Sequence, residues 1–159
     1  MAKVHLRNIT TDNFQECIGL EVAESQRDLV ASNMKSLAEA KVNPNLFPLA
    51  IYDAAVRGCE KPRLPIVGFT MYEVVAGVGF ILRLMVDRRY QGKGYGRAAM
   101  VEVIRRLRLY PEVELIATSH RRGNEVASNL YRSLGFVEWG VEWAKENESE
   151  VFLRLDEDG

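Results

Sequence analysis

Glycines at 92, 94 and 96 sit between an apolar run, Phe80 to Val86, and a stretch of helical periodicity; the segment Asp87 to Arg97 limits the fold more than any other. Glycine lets the backbone turn with its N–H groups converging, and a helix that starts there adds roughly half a positive charge. With Lys93 and Arg97 beside it, the segment reads as an anion cradle whose natural guest is a pyrophosphate. A Walker loop does not fit, because Gly94 follows Lys93 and no hydroxyl is placed for magnesium. Gly94, Gly96 and Ala99 satisfy the GxGxxA of a dinucleotide fingerprint, but that loop follows a first strand and is succeeded by a strand ending in an acid. Here several strands precede it, and the next ends Thr118-Ser119-His120. Glycines that merely turn a strand into a helix would leave the flanking cations unexplained.

Around the loop the hydrophobic pattern switches between periods of two and of 3.6. Val4, Leu6 and Ile9 against Lys3, His5 and Arg7 mark a first strand over 3–9. Asp12, with Gln15 in capping-box position, opens a helix showing Phe14, Ile18 and Val22 on one face. A second helix is expected from Asp28 to Lys41, with Val30, Met34 and Leu37 toward the core and Asn43-Pro44-Asn45 as its stop. Strands follow at 47–52, 66–75 and 80–86. Arg57-Gly58 and Lys61-Pro62 break the chain between the first two, and Ala76-Gly77-Val78-Gly79 turns between the last two. The helix after the glycines ends near Tyr110-Pro111, with Val103, Ile104 and Leu107 as its apolar face. A buried strand at 114–119, a helix at 124–134 closed by Gly135, and a polar-tipped hairpin of 137–143 with 151–155 complete the pattern. No repeat or linker interrupts it, so 1–159 reads as one α+β domain on a mixed, mainly antiparallel sheet flanked by helices.

A net charge of −1 gives no global pull toward nucleic acid or an anionic membrane. The cations are local instead: Arg83, Arg88, Arg89, Lys93, Arg97, Arg105, Arg106 and Arg108, a pattern suited to a compact phosphorylated ligand. Cys17 and Cys59, without a CxxC or a paired His, argue against a disulfide framework or a Cys-rich zinc site and suit a reducing, cytoplasmic setting. No metal is expected, since His5 and His120 are isolated. Met1 to Ile9 lacks a leader's apolar region, and no apolar run approaches the ~18 residues of a membrane span.

Gln91-x-x-Gly94-x-Gly96 resembles the [QR]-x-x-G-x-[GA] signature of the GNAT superfamily of N-acetyltransferases. Its second hallmark is matched by Asn124-x-x-Ala127-x-x-Leu130-Tyr131-x-x-Leu134-Gly135-Phe136, in the right order and one strand further on. The resemblance spans essentially the whole chain. Through Thr10-Thr11-Asp12-Asn13, Val67 to Tyr72 and Arg83 to Asp87 it is nearest the bacterial spermine/spermidine (diamine) acetyltransferase branch.

The resemblance implies acetyl-CoA as co-substrate. The backbone of Leu84, Met85 and Val86 would pair with the pantetheine arm and offer an N–H to an oxyanion. Gln91, Gly92, Lys93, Gly94, Tyr95, Gly96 and Arg97 would hold the pyrophosphate, mostly through main-chain N–H groups, and Asn124 would touch the arm. Tyr131 would be the general acid for the departing thiolate, whose thiol has a pKa near ~8.5. Each has a plain alternative: core packing for 84–86 and Tyr131, solvated charge for Lys93 and Arg97, a simple N-cap for Asn124. An attacking amine, with a pKa near ~10, must lose a proton. The polyamine branch often carries an acid before the CoA-binding strand, and Gly79 to Arg83 contains none. Glu73 is the substitute base and Glu24, with Tyr72, the substitute acceptor contact; both carboxylates also read as ordinary surface groups, and His120 or a water chain are further candidates for the base.

The expected reaction is acetyl transfer to a primary amine, foremost a polyamine or diamine, by direct attack in a ternary complex, because neither cysteine lies beside a His. Another small amine, a peptide amine, a CoA-binding sensor and, more remotely, a nicotinamide module are the alternatives. The partner is thus a small molecule, without nucleic acid or membrane. Trp139 and Trp143 read equally as a homodimer patch or as core.

Overall fold

A computed structural model describes residues 2–54 and 65–157. The period-two segments form β1 (Val4–Asn8), β2 (Leu46–Asp53), β3 (Ile66–Val75), β4 (Val78–Val86), β5 (Leu115–Arg121), β6 (Phe136–Glu138) and β7 (Glu150–Leu155). The helices are α1 (Phe14–Ile18), α2 (Asn33–Val42), α3 (Tyr95–Leu107), α4 (Glu125–Ser133) and α5 (Glu142–Lys145). One sheet runs in the order β1-β2-β3-β4-β5-β7-β6, antiparallel except for the parallel pair β4–β5. The α+β architecture expected from the sequence is the one observed.

Both faces of the sheet are covered, which is why β3 reads as an almost continuous apolar run. On one face Leu6, Val67, Tyr72 and Ile81 meet Met100, Val103 and Leu107 of α3 and Tyr131 of α4. On the other, Phe69, Met71 and Met85 pack with Cys17 of α1 and with Leu37 and Ala40 of α2. Among the described residues no helix is long and apolar enough to cross a membrane.

The β3–β4 turn has Val75 opposite Val78 and positive φ at both intervening residues, 51° at Ala76 and 81° at Gly77. A two-residue hairpin needs that conformation to match the strand twist, and asparagine adopts it more cheaply than alanine. Ala76 is exposed, so Ala76→Asn is expected to stabilise the protein by about 0.5–1 kcal/mol, read as a rise in chemical-denaturation midpoint at constant slope. An unchanged or lower midpoint would contradict it.

Further along, Met71 faces Arg83 but Tyr72 faces Ile81, so Leu82 is an extra, bulged residue in β4. The parallel pairing of β4 with β5 stops at that point, running only from Val78↔Leu115 to Ile81↔Thr118. Thr118 Oγ1 donates to Ile81 O at 2.9 Å in the fork, and Thr70 Oγ1 donates to Arg83 O at 2.8 Å from the β3 side. Beyond it β5 pairs onward with β7, and the last turn of β4 keeps one open edge.

Several boundaries differ from expectation. Asn13, not Asp12, precedes α1, and no capping box forms: its Oδ1 accepts from Thr10 N at 2.7 Å and its Nδ2 donates to Asn8 O at 3.0 Å. The helix is a single turn ending before Gly19, leaving Val22 outside it. The second helix begins five residues late, after Ser32, whose Oγ accepts from Lys35 N at 3.1 Å; residues 24–29 form a 3-10 turn instead. The face that packs on the sheet carries Asn33, Ser36 and Leu37, and Met34 is 61% exposed. The expected strand 137–143 stops at Glu138 and turns into α5, so Trp143 is half-exposed against Trp139 and Phe152, at ring separations of 5.2 and 5.0 Å. The turn expected at 57–62 lies outside the described residues.

Candidate active site

The open edge of β4 has a defined polarity. Asp87 N donates to Val67 O, so by strand alternation the main-chain groups of Met85 face β3 while those of Leu84 and Val86 face the gap. Of the expected trio, Met85 therefore contributes no main-chain group to the gap. A cavity of about 270 Å³ fills it, walled by Leu84, Val86, Tyr90, Tyr95, Asn124, Leu130 and Tyr131 and roofed by Val22, Gln26 and Val30.

At its mouth Gly92 and Gly94 take φ of 76° and 87°, and Gly94 is the N-cap of α3. The first N–H groups of a helix have no intrahelical partner, so this end presents donors to whatever the cavity holds. Lys93 and Arg97 do not line it: the Lys93 ammonium lies 5.9 Å from the Tyr90 ring, and Arg97 donates to Ser133 Oγ at 2.8 Å. The Gln91 side chain is a strap, its Nε2 donating at 2.9 Å to both Val86 O and Gln26 Oε1. Tyr95 donates to Asp53 Oδ2 at 2.6 Å, and that bond, with burial, pushes its hydroxyl up to about 12. Asp87, almost fully buried, accepts from Glu21 N and from the Arg89 backbone and guanidinium; burial alone would raise its pKa, but these bonds hold it below the ordinary value. The roof and the loop are thereby tied together.

A second cavity of about 290 Å³ lies against the bulge and the ends of β5 and β7, among Phe80, Leu82, Arg83, His120, Arg121, Glu150 and Phe152. It shares Val30, Leu84, Asn124, Ala127 and Tyr131 with the first. Asn124 caps α4, accepting from Ala127 N at 3.2 Å, and so places itself at the junction. Tyr131 is 5% exposed there, its ring 5.9 Å from Phe136 and 6.3 Å from His120. Burial pushes its hydroxyl up to about 12, with Thr118 opposing and Glu150 reinforcing. His120 Nδ1 is 2.9 Å from Arg121 O; a carbonyl only accepts, so Nδ1 carries the hydrogen and the neutral ring's lone pair is on Nε2. Nε2 is buried and has no partner.

Besides Lys93 and Arg97, three expected residues are not brought to either cavity. Tyr72 points to the α3 face, where its hydroxyl is 3.0 Å from that of Tyr110 and its ring stacks on Phe47 at 5.2 Å. Burial is the largest cause pushing that hydroxyl above the ordinary tyrosine range. Glu73 is half-buried opposite Phe80, and Glu24 is exposed on its 3-10 turn. The basic run also divides. Arg105, Arg106 and Arg108 lie at the far end of α3, held by Glu102, Leu6 O and Glu157. Cys17 is buried away from both cavities, and burial pushes its thiol up to about 11; Cys59 lies outside the described residues. The wall that sequence reasoning missed is Arg83 with Lys35 and Arg121, although an arginine inside the apolar run Ile81 to Val86 was a visible signal.

A helix-start anion seat, an unpaired strand edge and a buried tyrosine thus come together where the two cavities meet. Residues 7–136 match the acetyltransferase (GNAT) family, and the chain belongs to that family. Its activity class is accordingly acetyl-CoA-dependent N-acetyl transfer. The chain is 26% identical over 141 residues to a spermine/spermidine N(1)-acetyltransferase of Bacillus subtilis, covering 84% of this chain and 87% of the relative. Among solved structures, the spermidine N-acetyltransferase of Vibrio cholerae in complex with CoA and spermine superposes with a TM-score of 0.67 at 16% identity, covering 96% and 93% of the two chains. Arabidopsis thaliana NAA60 in complex with acetyl-CoA does so with a TM-score of 0.68 at 13% identity over the whole of both.

Proposed function

We propose that the chain, acting as a single domain, acetylates the primary amine of a small molecule by direct attack on acetyl-CoA in a ternary complex. The observation that carries this reading is the meeting of the two cavities at Tyr131, which lets donor and acceptor reach one point from opposite sides. The residues fit acetyl-CoA: Leu84 and Val86 offer main-chain groups to its arm, the turn from Gly92 to Arg97 offers N–H groups to its pyrophosphate, and Asn124 stands between. His120 Nε2, with a lone pair and no partner, takes the ammonium proton so that the amine nitrogen can attack the thioester carbonyl. Tyr131 delivers its hydroxyl proton to the sulfur as the C–S bond breaks, and the second proton of the attacking nitrogen, released as the amide forms, returns the tyrosinate to its neutral state. Cys17, the cysteine among the described residues, is sealed in the core and cannot serve as the nucleophile of a covalent acyl-enzyme.

Polyamines and diamines are the acceptors that the Bacillus subtilis and Vibrio cholerae proteins suggest. The charge of the second cavity favours a different acceptor.

Initial rates with both substrates varied are expected to give intersecting lines; parallel lines would sink direct attack. His120→Gln is expected to lower kcat by roughly 10²-fold near neutral pH, and the deficit should shrink as pH approaches the amine's own pKa of about 10, where the neutral nucleophile needs no base. A deficit independent of pH would remove His120 from the proton path.

A further inference from the structure

A polyamine should meet carboxylates, yet among the described residues the charged side chains lining the acceptor cavity are Lys35, Arg83 and Arg121 against Glu150, three positive and one negative. Arg83 is the most enclosed of the cations, its side chain 23% exposed just after the bulge. Its Nη1 donates to Leu82 O at 3.2 Å. Its Nη2 lies 3.3 and 3.2 Å from the two oxygens of Glu39 on α2, and its Nε is buried without a partner. Nε and Nη2 form the side-on fork with which a guanidinium grips a carboxylate through two parallel bonds. Here one prong is held weakly by an internal acid and the other has nothing to bond. A buried, unsatisfied donor on an arginine is costly, and a planar anion supplies what the fork lacks.

We infer that Arg83, assisted by Lys35 and Arg121, forms an anion subsite, and that the accepted amine carries a carboxylate. The inference rests on the acetyl-transfer reading above and narrows its substrate class to amino acids, or compounds of that kind, in preference to polyamines. Glu39 acts as an internal competitor: it occupies Nη2 until the substrate carboxylate arrives and takes the fork. A linear polycation placed in the same cavity would face Lys35, Arg83 and Arg121, with Glu150 in the lining and Glu39 behind Arg83 as the acids that offset them.

The test uses pairs that differ only by a carboxylate, lysine with cadaverine and phenylalanine with phenethylamine, with spermidine alongside, each followed by CoA release. In at least one pair the carboxylate-bearing member is expected to have a kcat/KM about ten- to a hundredfold higher, the range of a hydrogen bond to a charged group. Arg83→Met should erase that ratio, and Glu39→Gln should enlarge it by removing the competitor. If the Arg83–Glu39 pair were merely structural, both substitutions would move the ratio the same way or leave it alone, and the subsite would be overturned. A higher kcat/KM for the bare amine in both pairs, or for spermidine over both amino acids, would overturn it too. If no amine turns over, calorimetry on the CoA-loaded enzyme decides: N-acetylphenylalanine binding at least tenfold tighter than N-acetylphenethylamine sustains the subsite and sinks only the transfer reading, whereas equal or absent binding sinks the subsite.

Discussion

Tyr131→Phe is expected to lower kcat by roughly 10²–10⁴-fold, the range for one positioned proton donor, while KM for acetyl-CoA stays nearly constant. The ring keeps its packing against His120 and Phe136, so the change removes one oxygen and little else. The pH profile gives a second readout. Burial holds the hydroxyl up at about 12, so the native enzyme should show no loss of rate from this group near pH 10, where an ordinary tyrosine ionises. The stability linkage has the matching sign: a folded pKa above the unfolded one leaves stability intact below about pH 10 and erodes it as pH rises toward 12. A kcat within threefold of the native value would take the proton-donor role away from Tyr131.

Gly68→Ala is expected to damage stability and cofactor binding together. A Cβ at position 68 would overlap the carbonyl oxygen of Met85 and come within 3.2 Å of Ile51 Cδ1 and 3.3 Å of Val86 Cα. The obstacle on one side is the backbone of β4, which cannot rotate away as a side-chain tip can. β3 and β4 must separate at Gly68↔Val86, where Leu84 and Val86 present their outer edge. Overpacking of this kind costs about 3 kcal/mol or more, which for a domain of this size lowers Tm by roughly 6–12 °C. KM for acetyl-CoA should rise at the same time. Native Tm in the variant would show that the two strands can part by a few tenths of an ångström without strain.

What was legible in the sequence is what local chemistry dictates. Glycines 92 and 94 needed positive φ and have it, Gly135 closes α4 with φ of 99°, and the period-two runs became strands. Asn124 and Tyr131 were singled out through the resemblance of 124–136 to the family's second motif, and the fold carries both, as cap and member of α4, to the junction of the cavities. The errors have a common origin in tertiary competition. Asn13 was drawn from capping to Thr10 and Asn8, the helix expected at Asp28 waited for Ser32, and Met34 lies off the face that packs on the sheet. Tyr72 and Glu73 were read from one strand without its partners: Tyr72 turns toward Phe47 and Tyr110 on the α3 face, and Glu73 stands opposite Phe80. Arg83 looked like one more member of a basic run; only the arrival of α2 with Glu39, and of β5 with His120, reveals that it stands in a wall.

The fork between β4 and β5 divides labour between two kinds of chemical text. The donor side is written in main chain: a strand edge and the start of a helix, neither of which depends on which side chains the strand carries. The acceptor side is written in side chains such as Arg83, Lys35 and Arg121. Drift along this chain can therefore rewrite the amine it accepts through a few substitutions while its acyl donor stays the same, so inherited architecture and inherited substrate need not travel together.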